Sequence, residues 1–118
     1  MQYMLLIHSA ERDPTTMPPA EMQSLLGAYR AYTEAMKEAG VWVSGEPLKS
    51  AASGTTVRVR DGKTQVLDGP YAEAKEQLAG YYLIDTPDLD GALAWAARCP
   101  GAGYGTMEVR PLMVYPRG

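Results

Sequence analysis

Cysteine is almost missing from this chain: Cys99 is the only one among 118 residues, so no internal disulfide can form, and the reducing cytoplasm is the expected compartment. Histidine is equally scarce. His8 stands alone, which leaves no Ser-His-Asp constellation and no His/Cys spacing suited to a metal, and neither metal nor cofactor is expected. Nowhere do 18 apolar residues follow one another, so no transmembrane helix is expected. The opening MQYMLLIHSAERD has no basic region before its short apolar run and no small-residue cleavage site after it, so no signal peptide is expected either. Positive charge is also short. Lys and Arg number 11 against 14 Asp and Glu, for a net charge of −3, and the basic residues are scattered, which argues against direct nucleic-acid binding.

What is present fits one domain spanning 1–118, with no repeat, linker or low-complexity tract. A chain of this length buries roughly 60–70% of its unfolded surface and needs no covalent staple. The nearly continuous apolar run from Tyr3 to Ile7 suits a strand covered on both faces. After a polar stretch containing Pro14, Pro18-Pro19 can open a helix, because the first helical positions need no amide donor. Met22, Leu25, Leu26, Tyr29, Tyr32, Thr33 and Met36 then recur at spacings of three and four along one helical face, until Gly40 stops it. Val41 to Val43 begin a second strand that loosens towards Pro47.

Asp61-Gly62 is the dipeptide of a two-residue type I′ turn, flanked by Thr55 to Arg60 and Lys63 to Leu67. Pairing Arg60 with Lys63 sets Val57 opposite Val66 and Val59 opposite Thr64, a register that predicts one buried and one wet face. Gly80 to Asp85 reads as a strand, and Thr86-Pro87-Asp88 as the cap and first turn of a second helix with Leu89, Ala92, Leu93, Ala96 and Ala97 inward. Pro100 and two glycines end it. A last strand is expected over Thr106 to Tyr115, with Met107, Val109, Leu112 and Val114 as candidate core.

This order is a ferredoxin-like split βαβ plan with an added β-hairpin: an α+β fold with an antiparallel sheet and both helices on one face. The other sheet face must be polar or find a partner. With eight Tyr, two Trp and seven Met to cover two faces, a homodimer through that open face is expected.

Chemistry-bearing side chains crowd into one segment. Asp68-Gly69-Pro70 leaves the hairpin through a tight turn whose Asp side chain can accept amide hydrogen bonds, and Tyr71, Glu73, Lys75 and Glu76 follow. One reading is structural, a turn and a short capped helix with a solvated charged face. The other sets the carboxylates of Asp68 and Glu73 beside Lys75 at a pocket rim, where burial and crowding raise a carboxyl pKa into acid–base range. Glu46, Glu108 and Arg110 are charged residues inside strands and need partners. Arg110 either bridges to the Asp68 loop or binds an anion. His8 is either a hydrogen-bonded strand end or a base. Cys99, where a helix runs out before Pro100 with no histidine nearby in sequence, reads as a buried, inert thiol.

The run DGPYAEAKEQLAG from Asp68 to Gly80 resembles the DGPF signature, loosely DGPFxExKExLGGY, of the YCII-related family, with Tyr71 in place of phenylalanine. MQYMLLI at the start, GEPL at Gly45 to Leu48, the TTVRVRDGK hairpin, YYLID and EVRP at Glu108 to Pro111 resemble the same branch, so the likeness spans nearly the whole chain. It implies a dimeric ferredoxin-like α+β barrel. Better-understood members of the wider group resemble small lyases with a proposed Asp-His pair, the His on the first helix. Counting back from Gly40, Tyr29 stands at that position, so the pair is absent and Tyr29 either donates a proton or packs. Two functions follow. One is a lyase- or isomerase-type enzyme acting on a small polar or anionic molecule, with Asp68, Glu73 or Tyr29 moving protons and Lys75 or Arg110 holding the substrate. Glu46, Tyr71 and His8 complete the candidate ligand contacts. The other is a non-catalytic ligand-binding or regulatory module, linked by the resemblance to extracytoplasmic-function sigma factors.

Overall fold

Residues 1–11 and 16–116 are described by the computed structural model; Pro14 lies outside them. The first apolar run forms β1 (Gln2–Ser9), and its alternation is strict: Tyr3, Leu5 and Ile7 are buried while Met4, Leu6 and His8 are only half covered. Helix α1 (Pro19–Glu38) starts at a proline that needs no donor. It ends where Gly40 takes φ 73°, the Gly40 amide reaching Lys37 O and the Val41 amide reaching Met36 O. That double bond satisfies two helix-end carbonyls, and glycine takes the positive φ without a Cβ penalty. Of the α1 stripe, Tyr32 and Met36 are buried and Met22, Leu25, Tyr29 and Thr33 half-buried, while Leu26 is 53% exposed.

Strands β2 (Trp42–Pro47), β3 (Thr55–Arg60), β4 (Lys63–Asp68) and β5 (Gln77–Asp85) follow. Helix α2 (Leu89–Arg98), the single-turn α3 (Gly101–Tyr104) and β6 (Thr106–Pro111) complete the order. One antiparallel sheet runs β2-β5-β1-β6, and β3-β4 form a separate two-stranded ribbon. Without the ribbon, this strand order is that of a ferredoxin-like α+β sheet.

The core lies between the sheet and the helices. Leu5, Met36 and Ile84 are sealed, and Tyr32 packs edge-on to Tyr82 with ring centroids 5.3 Å apart, while its hydroxyl donates to Trp95 O at 2.7 Å. Cross-strand pairing also defines the open face. Leu83, Met4 and Arg110 share one row; Glu46, Tyr81, Leu6 and Glu108 share the next. This face has an apolar centre and charged margins.

Four expectations need correcting. The hairpin has the expected register, Val57 opposite Val66 and Val59 opposite Thr64 around Asp61-Gly62, but neither face is buried: Val57, Val59 and Val66 are 57–60% exposed. Alternation groups those side chains, yet within one chain no layer lies over them. Helix α2 is capped by Asp88, whose carboxylate accepts from the Gly91 amide at 2.9 Å, and begins at Leu89 rather than at Pro87; of its expected inward face only Ala92 and Ala96 are buried, while Leu89, Leu93 and Ala97 are exposed. Thr86 instead donates its hydroxyl to Asp88 O at 2.8 Å and holds the cap residue in place. The last strand stops at Pro111, which has no amide to continue a ladder, and Leu112 and Val114 are exposed. No helix forms between Pro70 and Glu76, a segment of bends and coil.

Candidate functional site

A cavity of about 330 Å³ opens between α1 and the β2–β5 side of the sheet. Its existence follows from small residues in the strands beneath a helix with large ones. Gly45, Ala79 and Gly80 form the floor, and Leu25, Leu26, Tyr29 and Thr33 overhang it. A Cβ on Gly45 would strike the Tyr82 ring, and one on Gly80 would come within 3.0 Å of Glu46 O, so glycine at both places is a packing requirement. Trp42, Tyr82 and Tyr104 add aromatic walls, and the ring of Trp42 stands edge-on to Tyr82 at 5.9 Å.

The polar equipment of this cavity is phenolic. The Tyr29 and Tyr104 hydroxyls are hydrogen-bonded to each other, Tyr104 being placed by the α3 turn. Burial drives the Tyr29 pKa far above the usual phenol value, and the hydrogen bond to Tyr104 adds to the rise. Burial raises Tyr82 as well, partly offset by its hydrogen bond with Thr33. The Tyr29 and Tyr82 hydroxyls therefore remain protonated at any physiological pH and do not act as bases. Cys99 sits behind them, 3% exposed, and burial pushes its thiol up, opposed by bonds from the Gly101 and Ala102 amides and Tyr29. A protonated buried thiol is a poor nucleophile, as expected for an inert cysteine.

A second cavity of about 380 Å³ adjoins this one and shares Leu25, Ala79 and Tyr104 with it, its far side formed by Met17, Met22, Leu48 and Lys49.

Of the residues singled out in the sequence, Tyr29 lines the aromatic cavity, and Glu46 borders it through its backbone, its carboxylate lying on the open face. His8, Glu108 and Arg110 meet elsewhere, on the open sheet face. His8 Nε2 donates to Glu108 Oε1 at 2.9 Å, and Arg110 Nε stands 3.9 Å from the other oxygen. Arg110 thus pairs within its own strand rather than with the Asp68 loop. Asp68, Tyr71, Glu73 and Lys75 are exposed, Tyr71 at 90%, and none lines either cavity. Asp68 accepts no hydrogen bond among the described residues; Gly69 holds the turn instead, its amide donating to Gly54 O at 2.7 Å and its carbonyl accepting from Thr56 Oγ1 at 2.8 Å. Glu76 accepts from the Thr106 hydroxyl at 2.7 Å, tying the end of the loop to β6.

Sequence reasoning missed Tyr104, Trp42 and the Gly45 and Gly80 floor. The available signal was glycine inside strand patterns, which marks close approach. Nothing local announces that Tyr104 reaches Tyr29, 75 residues away.

The YCII-related domain family matches residues 1–115. The chain belongs to that family. An uncharacterized protein of Rhizobium meliloti (strain 1021) is 38% identical over 124 residues, covering 100% of this chain and 97% of that protein. Among solved structures, the 5-chloro-2-hydroxyhydroquinone dehydrochlorinase of Burkholderia phenoliruptrix AC1100, in complex with 2,5-dihydroxybenzoquinone, superposes with a TM-score of 0.53 at 17% identity. The match covers 96% of this chain and 94% of the dehydrochlorinase, a likeness of fold. Among the described residues no helix is long and apolar enough to cross a membrane.

Proposed function

We propose that this YCII-related domain, of the DGPF branch, is a homodimeric enzyme of lyase or isomerase type that takes a small polar, oxygen-bearing molecule into the aromatic cavity. The Tyr29–Tyr104 hydroxyl pair carries the reading: with one hydroxyl donating to the other, the pair's second proton is left to donate, at an apolar cavity wall, to an oxygen on which negative charge develops. The backbone of Glu46 borders the cavity, whereas its carboxylate shares the open-face row of Leu6 and Tyr81 and takes no part in the acid–base step in this reading. The dehydrochlorinase of like fold is an enzyme holding an oxygenated ring, which is compatible with this reading. In the outer segment around the DGPY turn, Lys75 carries the positive charge that in this reading meets an anionic part of the ligand as it enters, with Asp68, Tyr71 and Glu73 exposed beside it. His8 and Arg110, joined through Glu108 on the open face, serve subunit contact at the margin of the apolar patch formed by Met4, Leu6, Tyr81 and Leu83.

A titration with 2,5-dihydroxybenzoquinone and a panel of small keto and hydroxy acids tests the cavity. Tyr29→Phe should weaken the best ligand about tenfold, the loss of one hydrogen bond. Binding unaltered by Tyr29→Phe and by Tyr104→Phe would place the ligand elsewhere. The exposed positions of Asp68 and Glu73 favour a second reading, a non-catalytic ligand-binding or regulatory module. Under it, ligand binds with the same tyrosine dependence and no turnover is found.

A further inference from the structure

The proposed site uses the aromatic cavity and leaves its neighbour without a role. That neighbour is no smaller, about 380 Å³ against about 330 Å³. Each lies at the lower end of the range for small-molecule pockets, roughly 300–1,000 Å³, so a compact molecule fills one and leaves the other open. Shared residues join them. Leu25 of α1 and Ala79 of β5 line both, and so does Tyr104, whose hydroxyl is bonded to that of Tyr29. The phenol pair therefore stands at the border between the two. The strand beneath shows how they come to meet. Pairing of β1 with β5 runs from Ile7 opposite Gly80 to His8 opposite Leu78, so Ala79 is an extra residue, a β-bulge. Its carbonyl accepts from the Leu48 amide at 2.8 Å. With Gly80 beside it, the bulge sets two small residues in succession beneath α1, and the space runs on from one cavity into the other.

The walls differ in chemistry. The aromatic cavity offers phenol hydroxyls, whereas the second is walled by Met17, Met22, Leu25, Leu48 and Leu78, with its charged residues Glu11 and Lys49 exposed. Glu11 is already engaged. Its carboxylate accepts from the Ala51 amide at 2.7 Å and ties the chain beyond β1 to the turn after β2. A charged substituent among those apolar side chains would shed its water with little to replace it. An aliphatic one gains by burial. Methionine is unbranched and polarizable, so a wall containing two of them repacks around chains of different length.

We infer that the two cavities form one bipartite site, whose ligand sets an oxygen-bearing head at the Tyr29–Tyr104 pair and an unbranched aliphatic tail in the methionine-lined half. The inference rests on the proposed reading of the phenol pair and deepens it by naming the ligand class: 2-keto or 2-hydroxy acids with a linear apolar side chain. Hydrogen bonds select the head strictly. Buried area selects the tail loosely, by length.

Calorimetric titration of the full chain with pyruvate, 2-ketobutyrate, 2-ketovalerate and 2-ketohexanoate tests this. Affinity should rise about three- to fourfold with each added methylene, the gain from burying one CH₂ group. Leu48→Trp, which narrows the second cavity, should bring the ratio of hexanoate to pyruvate affinity down towards unity. Leu48 is 47% exposed, and a ring turned outward would leave the cavity open, so Met22→Trp on α1 is the companion variant. Circular dichroism checks that both fold. Tyr29→Phe should weaken every homologue about tenfold and keep the ratio. A flat series in the wild type, with the Tyr29 dependence intact, overturns the tail subsite and leaves the phenolic reading standing. A steep series that neither tryptophan variant flattens overturns the subsite as well. If the tryptophans flatten the series while Tyr29→Phe and Tyr104→Phe change nothing, the phenolic reading falls, and the bipartite site falls with it. 2-Ketoadipate matches 2-ketohexanoate in chain length but ends in a carboxylate, and it should bind more weakly. Tighter binding of the diacid, lost in Lys49→Ala, would overturn the apolar tail.

Discussion

The four-stranded sheet and the β3–β4 ribbon obey the same alternation and end in opposite states. In β1, alternate residues Tyr3, Leu5 and Ile7 are sealed because α1, α2 and α3 lie across them. In the ribbon, Val57, Val59 and Val66 line up just as regularly and stay open to solvent. Periodicity decides which side chains share a face, and an opposing layer decides whether that face is dry. The same contrast divides the chemistry. The phenols under α1 are shifted by burial, whereas the acids and the lysine of the Asp68 loop stand in water.

The largest expected effect that tests this contrast is in the core. Ile84→Ala should cost about 2–5 kcal/mol in a urea melt, since a fully sealed side chain leaves a cavity that its surroundings fill only in part. Val57→Ala, measured in dilute protein, should cost under about 0.5 kcal/mol. Equal losses would mean that the ribbon is covered within one chain, and the contrast would dissolve.

An intermediate effect belongs to alkaline pH. Tyr29, Tyr32 and Tyr82 hold their protons more tightly in the folded chain because they are buried, while in the unfolded chain they ionise at about 10. Above that pH the unfolded state binds fewer protons than the native one, so stability is intact below about pH 9 and falls as pH rises further. Cys99, raised for the same reason, begins the decline nearer its unfolded value of about 8.5. Urea midpoints measured from neutral pH upward should trace this fall, and Tyr29→Phe should flatten it. A midpoint constant to about pH 11 would show that these phenols are not shielded.

The smallest effect separates the Asp68 loop from the core. The turn acceptor anticipated from the sequence is not Asp68, because Gly69 makes the closing bonds with its own amide and carbonyl at φ 102°. Asp68→Ala should therefore change stability by less than about 0.5 kcal/mol in the same melts, where a lost turn acceptor would cost about 1 kcal/mol.

Much of the fold was legible because its signals are local. The α1 stripe, the stop at Gly40, the Asp61-Gly62 turn and the β1 run each express a backbone preference or a period within a few residues. The errors came where a local signal competed with a partner outside its window. Thr86-Pro87 reads as a cap, but Asp88 is placed to reach the Gly91 amide and takes the role. The strand pattern past Thr106 reads through Pro111 to Tyr115, but β1 begins at Gln2 and gives it a last partner where the Leu112 amide donates to Gln2 O. The candidate site was the least legible part. Tyr29 and Glu46 were named for other reasons, and the floor glycines and Tyr104 matter only through what faces them.

By itself, then, the amino-acid order determined the elements, the sheet's facing pattern, the hairpin register and the family, all of which depend on neighbours along the chain or on motif residues. Only the tertiary structure decided that a phenolic pair rather than the DGPY acids lines the cavity, that Arg110 and His8 share Glu108, and that the ribbon's valines lie bare. Each of those outcomes depends on distances between residues far apart in sequence and on how much water is excluded between them, and those distances exist only once the helices have settled on the sheet.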